Sequence, residues 1–200
     1  VPRLNMLVAW SLTSACLLPT LPSSPANEAN KSASNSTAAP IYERFAATAE
    51  APPATDEVPN FQKHVSPLLG RLGCNGRACH GSFQGQGGFQ LSLFGYDFDA
   101  DHAALLEEDA GRVDLKDKLE SLILTKPTDE DSHEGGQRYE TGGWEYWVLR
   151  RWIENDAPYK KQQVQELKEL RVLPAELSFE RAGESQQLKA IAVWEDGSQE

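Results

Sequence analysis

Cys74, Cys79 and His80 stand together in the segment Cys74-Asn75-Gly76-Arg77-Ala78-Cys79-His80, and a glycine-rich tract follows at once. Two thiols and an imidazole in this order suit covalent attachment of a haem: the thiols add to two vinyl groups and the imidazole binds the iron. The usual spacing is C-x-x-C-H; here four residues separate the cysteines, so a bulged turn has to bring them together, and Gly76 permits one. The chain has three cysteines, and the third, Cys16, lies in an apolar N-terminal stretch. If that stretch is removed, the remaining pair also suits, as the alternative, a Cys74–Cys79 disulfide in an exported module. Haem attachment and a structural disulfide therefore both stand at this point.

A second axial ligand is narrowed by elimination. Methionine serves in many cytochromes, but the only methionine, Met6, falls in the same N-terminal stretch. Of the other histidines, His64 lies on an amphipathic helix and His102 beside a short acidic one, and both read as solvated surface residues. His133 sits in a glycine-flanked loop between two helices and is the candidate to reach across the haem face, with an open or water-bound position as the alternative. Two histidines would give a lower potential than a Met/His pair. A structural zinc site lacks a near fourth ligand, and a thiol redox site wants C-x-x-C.

The elements that position these residues follow from the apolar periodicity. Asn60 is a good N-cap, and Phe61, Val65, Leu68 and Leu69 share one helical face that ends at Gly70 and Gly73. The cysteine motif thus occupies the turn after a helix. Short helices are expected over 101–108 and 121–124, the latter stopped by Pro127. The strongest helix carries Trp144, Trp147, Val148, Leu149, Trp152 and Ile153 and ends before Pro158; its tryptophans read as core or pocket wall. From Arg171 the pattern turns to alternating strands, chiefly Gln187–Val193. The expected fold class is mainly α: a small helical domain at 59–159, a linker at 160–170, and the start of a β module at 171–200. Too few strands are present there to close a sandwich, so the chain is expected to be an N-terminal portion of a longer protein.

Residues 1–26 read as a signal peptide: Arg3, a mostly apolar run from Met6 to Leu18, then Pro19, Pro22 and a small-residue cleavage site at Ser24-Pro25-Ala26. The run is too short to span a bilayer comfortably. Export to the periplasm or cell surface is expected, with a lipoprotein anchored through Cys16 as a lesser alternative. Residues 27–58, rich in Ala, Ser, Thr, Pro and Asn, read as a disordered linker, with Ile41, Tyr42 and Phe45 able to dock. The net charge of −11 argues against nucleic acid or anionic membrane surfaces as partners.

The stretches FQKHVSPLL, GCNGRACHGSFQGQGGFQLSLFGYD, SLILTKP, HEGGQR and WVLRRWIENDAP resemble the cytochrome c-like domain found near the N-terminus of large exported planctomycete proteins. Residues 171–200, with QQLKAIAVW and EDG, resemble the first half of a bacterial Ig-like (group 2) repeat. The resemblance implies one covalent haem c, thioether bonds at Cys74 and Cys79, His80 as proximal ligand and His133 as distal iron ligand. The expected role is single-electron transfer with a separate redox protein, in concert with C-terminal domains of the same longer chain, and no catalytic residue is assigned in this segment. The GSFQGQGGF tract and Arg112 match the pattern without a chemical role that the sequence supplies.

Overall fold

The first ordered turn of the main helix is set by Asn60, whose side chain accepts from the Lys63 amide at 2.9 Å, as an N-cap should. The structure is a computed structural model and describes residues 38–48, 51–81, 83, 85–109 and 111–200. The expected signal peptide, with Cys16, and residues 27–37 lie outside the described residues. Phe61–Val65 is wound as a π-turn and runs directly into α2, Ser66–Arg71. Together they bury Phe61, Val65, Leu68 and Leu69 on one side. The chain leaves α2 through Gly73 at φ +78, a left-handed conformation that suits glycine and delivers Cys74 into the following turn.

Opposite lies α5, Trp144–Glu154, which buries Val148, Leu149, Trp152 and Ile153. The Trp152 ring stacks on Phe61 with centroids 5.5 Å apart, and its indole N–H donates to the Pro158 carbonyl at 3.1 Å. A buried Trp thus keeps both its apolar area and a hydrogen bond. Between them in sequence come α3, Phe98–Leu106, capped by Asp97, and α4, Leu122–Thr125, which gives out before Pro127. Leu105, Ile123 and Leu124 join the same core. Full burial of each such side chain is worth about 2 kcal/mol. Within 27–58, the described part carries α1, Ile41–Arg44, and places Phe45 in the core at 0 % exposure. Among the described residues no helix is long and apolar enough to cross a membrane.

A mainly α domain followed by the start of an Ig-like module is overturned by this architecture. Among the described residues the fold is mixed: five α-helices, four of them under ten residues, plus one two-stranded antiparallel sheet. Strand β1, Leu167–Leu173, pairs with β2, Lys189–Trp194, in the register Leu170↔Ala192 and Val172↔Ala190. β1 begins inside the segment expected as a linker, while Leu177 and Phe179, expected in a strand, lie in irregular chain and are exposed. An Ig sandwich needs a second sheet facing the first; here every residue of β1 is exposed. In β2, Ile191, Val193 and Trp194 are buried. Lys63 lies 4.9 Å over the Trp194 ring, and Gln62 bonds both ways with the Gln165 backbone.

Candidate functional site

The C-x-x-x-x-C-H segment is drawn into one compact turn by its own backbone. The Cys79 amide bonds the Gly76 carbonyl at 3.0 Å, the His80 amide bonds the Cys74 carbonyl at 2.9 Å and the Gly81 amide returns to Gly76 at 3.0 Å. Asn75, at 2 % exposure, is the pivot; a Cβ at Gly81 would sit 2.1 Å from its carbonyl oxygen. Only glycine allows that approach.

The glycine tract, silent in the sequence, turns out to hold His80. Gln86 and Phe89 form an isolated bridge around Gly87 and Gly88, both at positive φ. The carbonyls of Gln86 and Phe89 each lie 3.1 Å from His80 Nδ1. Carbonyl oxygens only accept, so Nδ1 carries the proton and donates to both, leaving Nε2 with its lone pair in the neutral ring. Arg112 braces this turn: its Nη2 donates to the Gly87 carbonyl at 2.9 Å and its guanidinium lies 4.6 Å over the Phe89 ring.

His133 is held in the same manner by its own loop. Its Nδ1 donates to the Gly136 carbonyl at 2.8 Å, within a turn closed by the Gly136 amide on the His133 carbonyl. Gly136 adopts φ +72, and a Cβ at Gly135 would crowd both His133 Cε1, at 2.8 Å, and Arg138 Nη2, at 3.1 Å. The fold brings the two histidine loops together. The His80 and His133 rings lie 6.5 Å apart, centroid to centroid, with planes 22° from parallel. Neither Nε2 has a hydrogen-bond partner among the described residues.

Both imidazoles and both cysteines line one cavity of about 510 Å³. Its walls include Leu69, Phe89, Leu91, Leu105, Leu122 and Ile123, and Arg112, Lys126 and Arg138 supply positive charge. Cys74 and Cys79 are both free thiols. Burial pushes the Cys74 thiol up to about 11, outweighing the nearby Arg138 charge. Burial also lowers His80 from its usual value, helped by the charges of Arg112 and His133, so its ring stays neutral and able to bind a metal. Among the described residues no group of three or more His, Cys, Asp or Glu side chains is placed to hold a bare metal ion.

The other two histidines are not the solvated residues that their sequence context suggests. His64 is 6 % exposed: its Nδ1 accepts from the Asn60 amide at 2.9 Å and its Nε2 meets Glu200 at 2.8 Å. His102 is half-buried, with Nε2 donating to the Ala157 carbonyl at 2.8 Å beside Phe61, Trp152 and Tyr159. Neither lines the cavity. Arg138 was missed by sequence reasoning, although only Gln137 separates it from the His-Glu-Gly-Gly run; a cation there has no chemistry until the fold sets it beside Cys79. No family model, curated protein or solved structure matches the chain.

Proposed function

We propose that this cavity takes one haem c, attached through Cys74 and Cys79 and ligated by His80 and His133, and that the protein carries single electrons. The observation that carries the reading is the pairing of two imidazoles, His80 and His133, with two thiols on one cavity. Each imidazole donates its Nδ1–H to a backbone carbonyl, the outer-shell bond that fixes a metal-binding histidine with Nε2 outward. With metal–imidazole distances of about 2 Å, one ion between two Nε2 atoms separates the ring centres by roughly 6 Å; the observed 6.5 Å fits. Two thiols in the same cavity fit the covalent attachment, and the apolar walls fit the flat body of a porphyrin.

Haem supplies reversible one-electron iron chemistry when bound. His80 and His133 would hold the iron, Cys74 and Cys79 would attach the ring, and the apolar wall would keep water from it. Were both histidines to bind the iron, no position on it would remain for a substrate, which favours an electron carrier over an enzyme. The resemblance to the planctomycete cytochrome c-like domain rests on the same residues and points the same way. An exported location follows from the thioether chemistry and the signal-like leader, and the net charge of −11 favours a basic redox partner.

The test is a pyridine haemochrome spectrum of the full chain, co-expressed with a haem-maturation system and exported to an oxidising compartment. A c-type band that survives acid–acetone extraction is the expected result. Colourless, folded protein with no titratable thiols would overturn the reading and leave a disulfide-bonded module.

A further inference from the structure

Strand β1 is the open edge of its sheet. It pairs with β2 alone, and every one of its residues is exposed, Leu170 at 60 %. The far edge of β2 is covered by the chain itself: Ala192 and Glu200 exchange amide–carbonyl bonds at 2.7 Å and 3.0 Å, and the Trp194 amide bonds the Ser198 carbonyl at 3.0 Å. Among the described residues nothing bonds the outer backbone groups of β1. A row of amides and carbonyls left open in this way is a template for another strand.

The ladder shows which groups point outward. Ala192 spends both its amide and its carbonyl on Glu200, so its pairing with Leu170 is a non-hydrogen-bonded one. The amide and carbonyl of Leu170 therefore face away from β2, as do those of Lys168 and Val172 in the same alternation. The side chains of this strand are also self-complementary. Leu167-Lys168-Glu169-Leu170-Arg171-Val172-Leu173, read against its own reverse, sets Leu167 opposite Leu173, Glu169 opposite Arg171 and Leu170 opposite itself. Glu169 and Arg171 already lie on one face, joined at 2.9 Å and both exposed. Their stretch of the ladder is regular, beyond the bulge between Leu167 and Glu169.

We infer that β1 pairs with the same strand of a second copy of this chain, antiparallel about a two-fold axis at Leu170, to form a homodimer. The outward groups of Lys168, Leu170 and Val172 fall on hydrogen-bonded pairs in this register. Glu169 and Arg171 fall on the non-hydrogen-bonded pairs, where opposite side chains lie closer. Each arginine then sits between two carboxylates, its own chain's and that of the second copy, in a ring of alternating charge. A shift by two residues loses both cross-strand ion pairs, and a parallel pairing in register sets like charges opposite, so charge fixes the arrangement. The interface is isologous and closes at two copies, because the outer edge of β2 is occupied. The inference is independent of the haem reading.

The test is sedimentation equilibrium of the full chain, kept reduced so that thiols do not cross-link it. One strand pair is a small interface, so a monomer–dimer equilibrium with a Kd on the order of 10 μM is expected. Arg171→Glu and Glu169→Arg should each weaken self-association about tenfold or more by setting like charges opposite. The double variant Glu169→Arg/Arg171→Glu should restore it, and an equimolar mixture of the two single variants should form a heterodimer. Both side chains are exposed, so far-UV circular dichroism of all variants should match the wild type. A wild-type chain that stays monomeric up to roughly 500 μM overturns the inference. So does a dimer that the single reversals leave intact, or one that the double reversal fails to restore. A monomer that carries haem would sink this inference alone, and a colourless dimer with this charge pattern the haem reading alone.

Discussion

The His80 amide donates to the Cys74 carbonyl at 2.9 Å, across the full width of the cysteine segment. That one bond converts four intervening residues into a closed turn. Both thiols and the imidazole consequently leave the backbone within a single loop, and the wide spacing becomes compatible with one flat ligand.

His133 should govern the coordination of the reconstituted protein. His133→Ala is expected to convert a six-coordinate, low-spin haem spectrum into a five-coordinate one and to raise the reduction potential, because an axial imidazole is lost. An unchanged Soret band and potential would remove His133 from the iron.

Gly81 and Gly88 separate two reasons for glycine. Gly81→Ala would set a Cβ 2.1 Å from the Asn75 carbonyl oxygen, whereas Gly88 has φ +71 and open space around it. Urea denaturation should show a loss of about 3 kcal/mol or more for Gly81→Ala. Gly88→Ala should cost only about 1 kcal/mol, the strain of a left-handed alanine. Equal losses would mean that the turn relaxes around the intrusion.

Acid should destabilise the cofactor-free protein. Burial lowers His80 in the folded state, so the unfolded chain binds its proton first and stability falls as pH drops below about 6.5. Glu200 adds to the loss at lower pH: burial alone would raise it, but the bonds to His64 and Arg44 prevail and lower it, so protonation there removes folded-state stabilisation. In a series of denaturant midpoints, His80→Gln should flatten the slope just below pH 6.5 and leave the lower limb in place. A slope unchanged by the substitution would assign the loss to other groups.

His64 offers the contrasting case of a histidine that supports the fold only. His64→Ala removes the acceptor of the Asn60 amide and the partner of Glu200, and should cost about 2 kcal/mol. The haem spectrum of the folded fraction should be that of the wild type, since His64 lies outside the cavity. A spectral change would place His64 near the iron.

Local pattern carried a good part of this protein. The cap at Asn60, the apolar face from Phe61 to Leu69, the Trp144–Ile153 stripe and the stop at Pro127 are all short-range effects, because a helix is decided by neighbours within a turn or two. The candidate ligands were equally open to reading, since the Cys-to-His adjacency and the histidine in a glycine loop are matters of residue type and order. Long-range contacts decided the rest. The alternating Gln187–Val193 run read as the start of a sandwich, whereas it pairs only with Leu167–Leu173 in a two-stranded sheet among the described residues. His64 looked solvated because its partner, Glu200, is 136 residues away. The glycine tract acquired a purpose only when its carbonyls met His80, and Arg138 only when the chain laid it beside a cysteine 59 positions earlier. Sequence determines which groups are available and how each local turn can bend; which of them share a cavity depends on how the core closes, and that is a property of the whole chain.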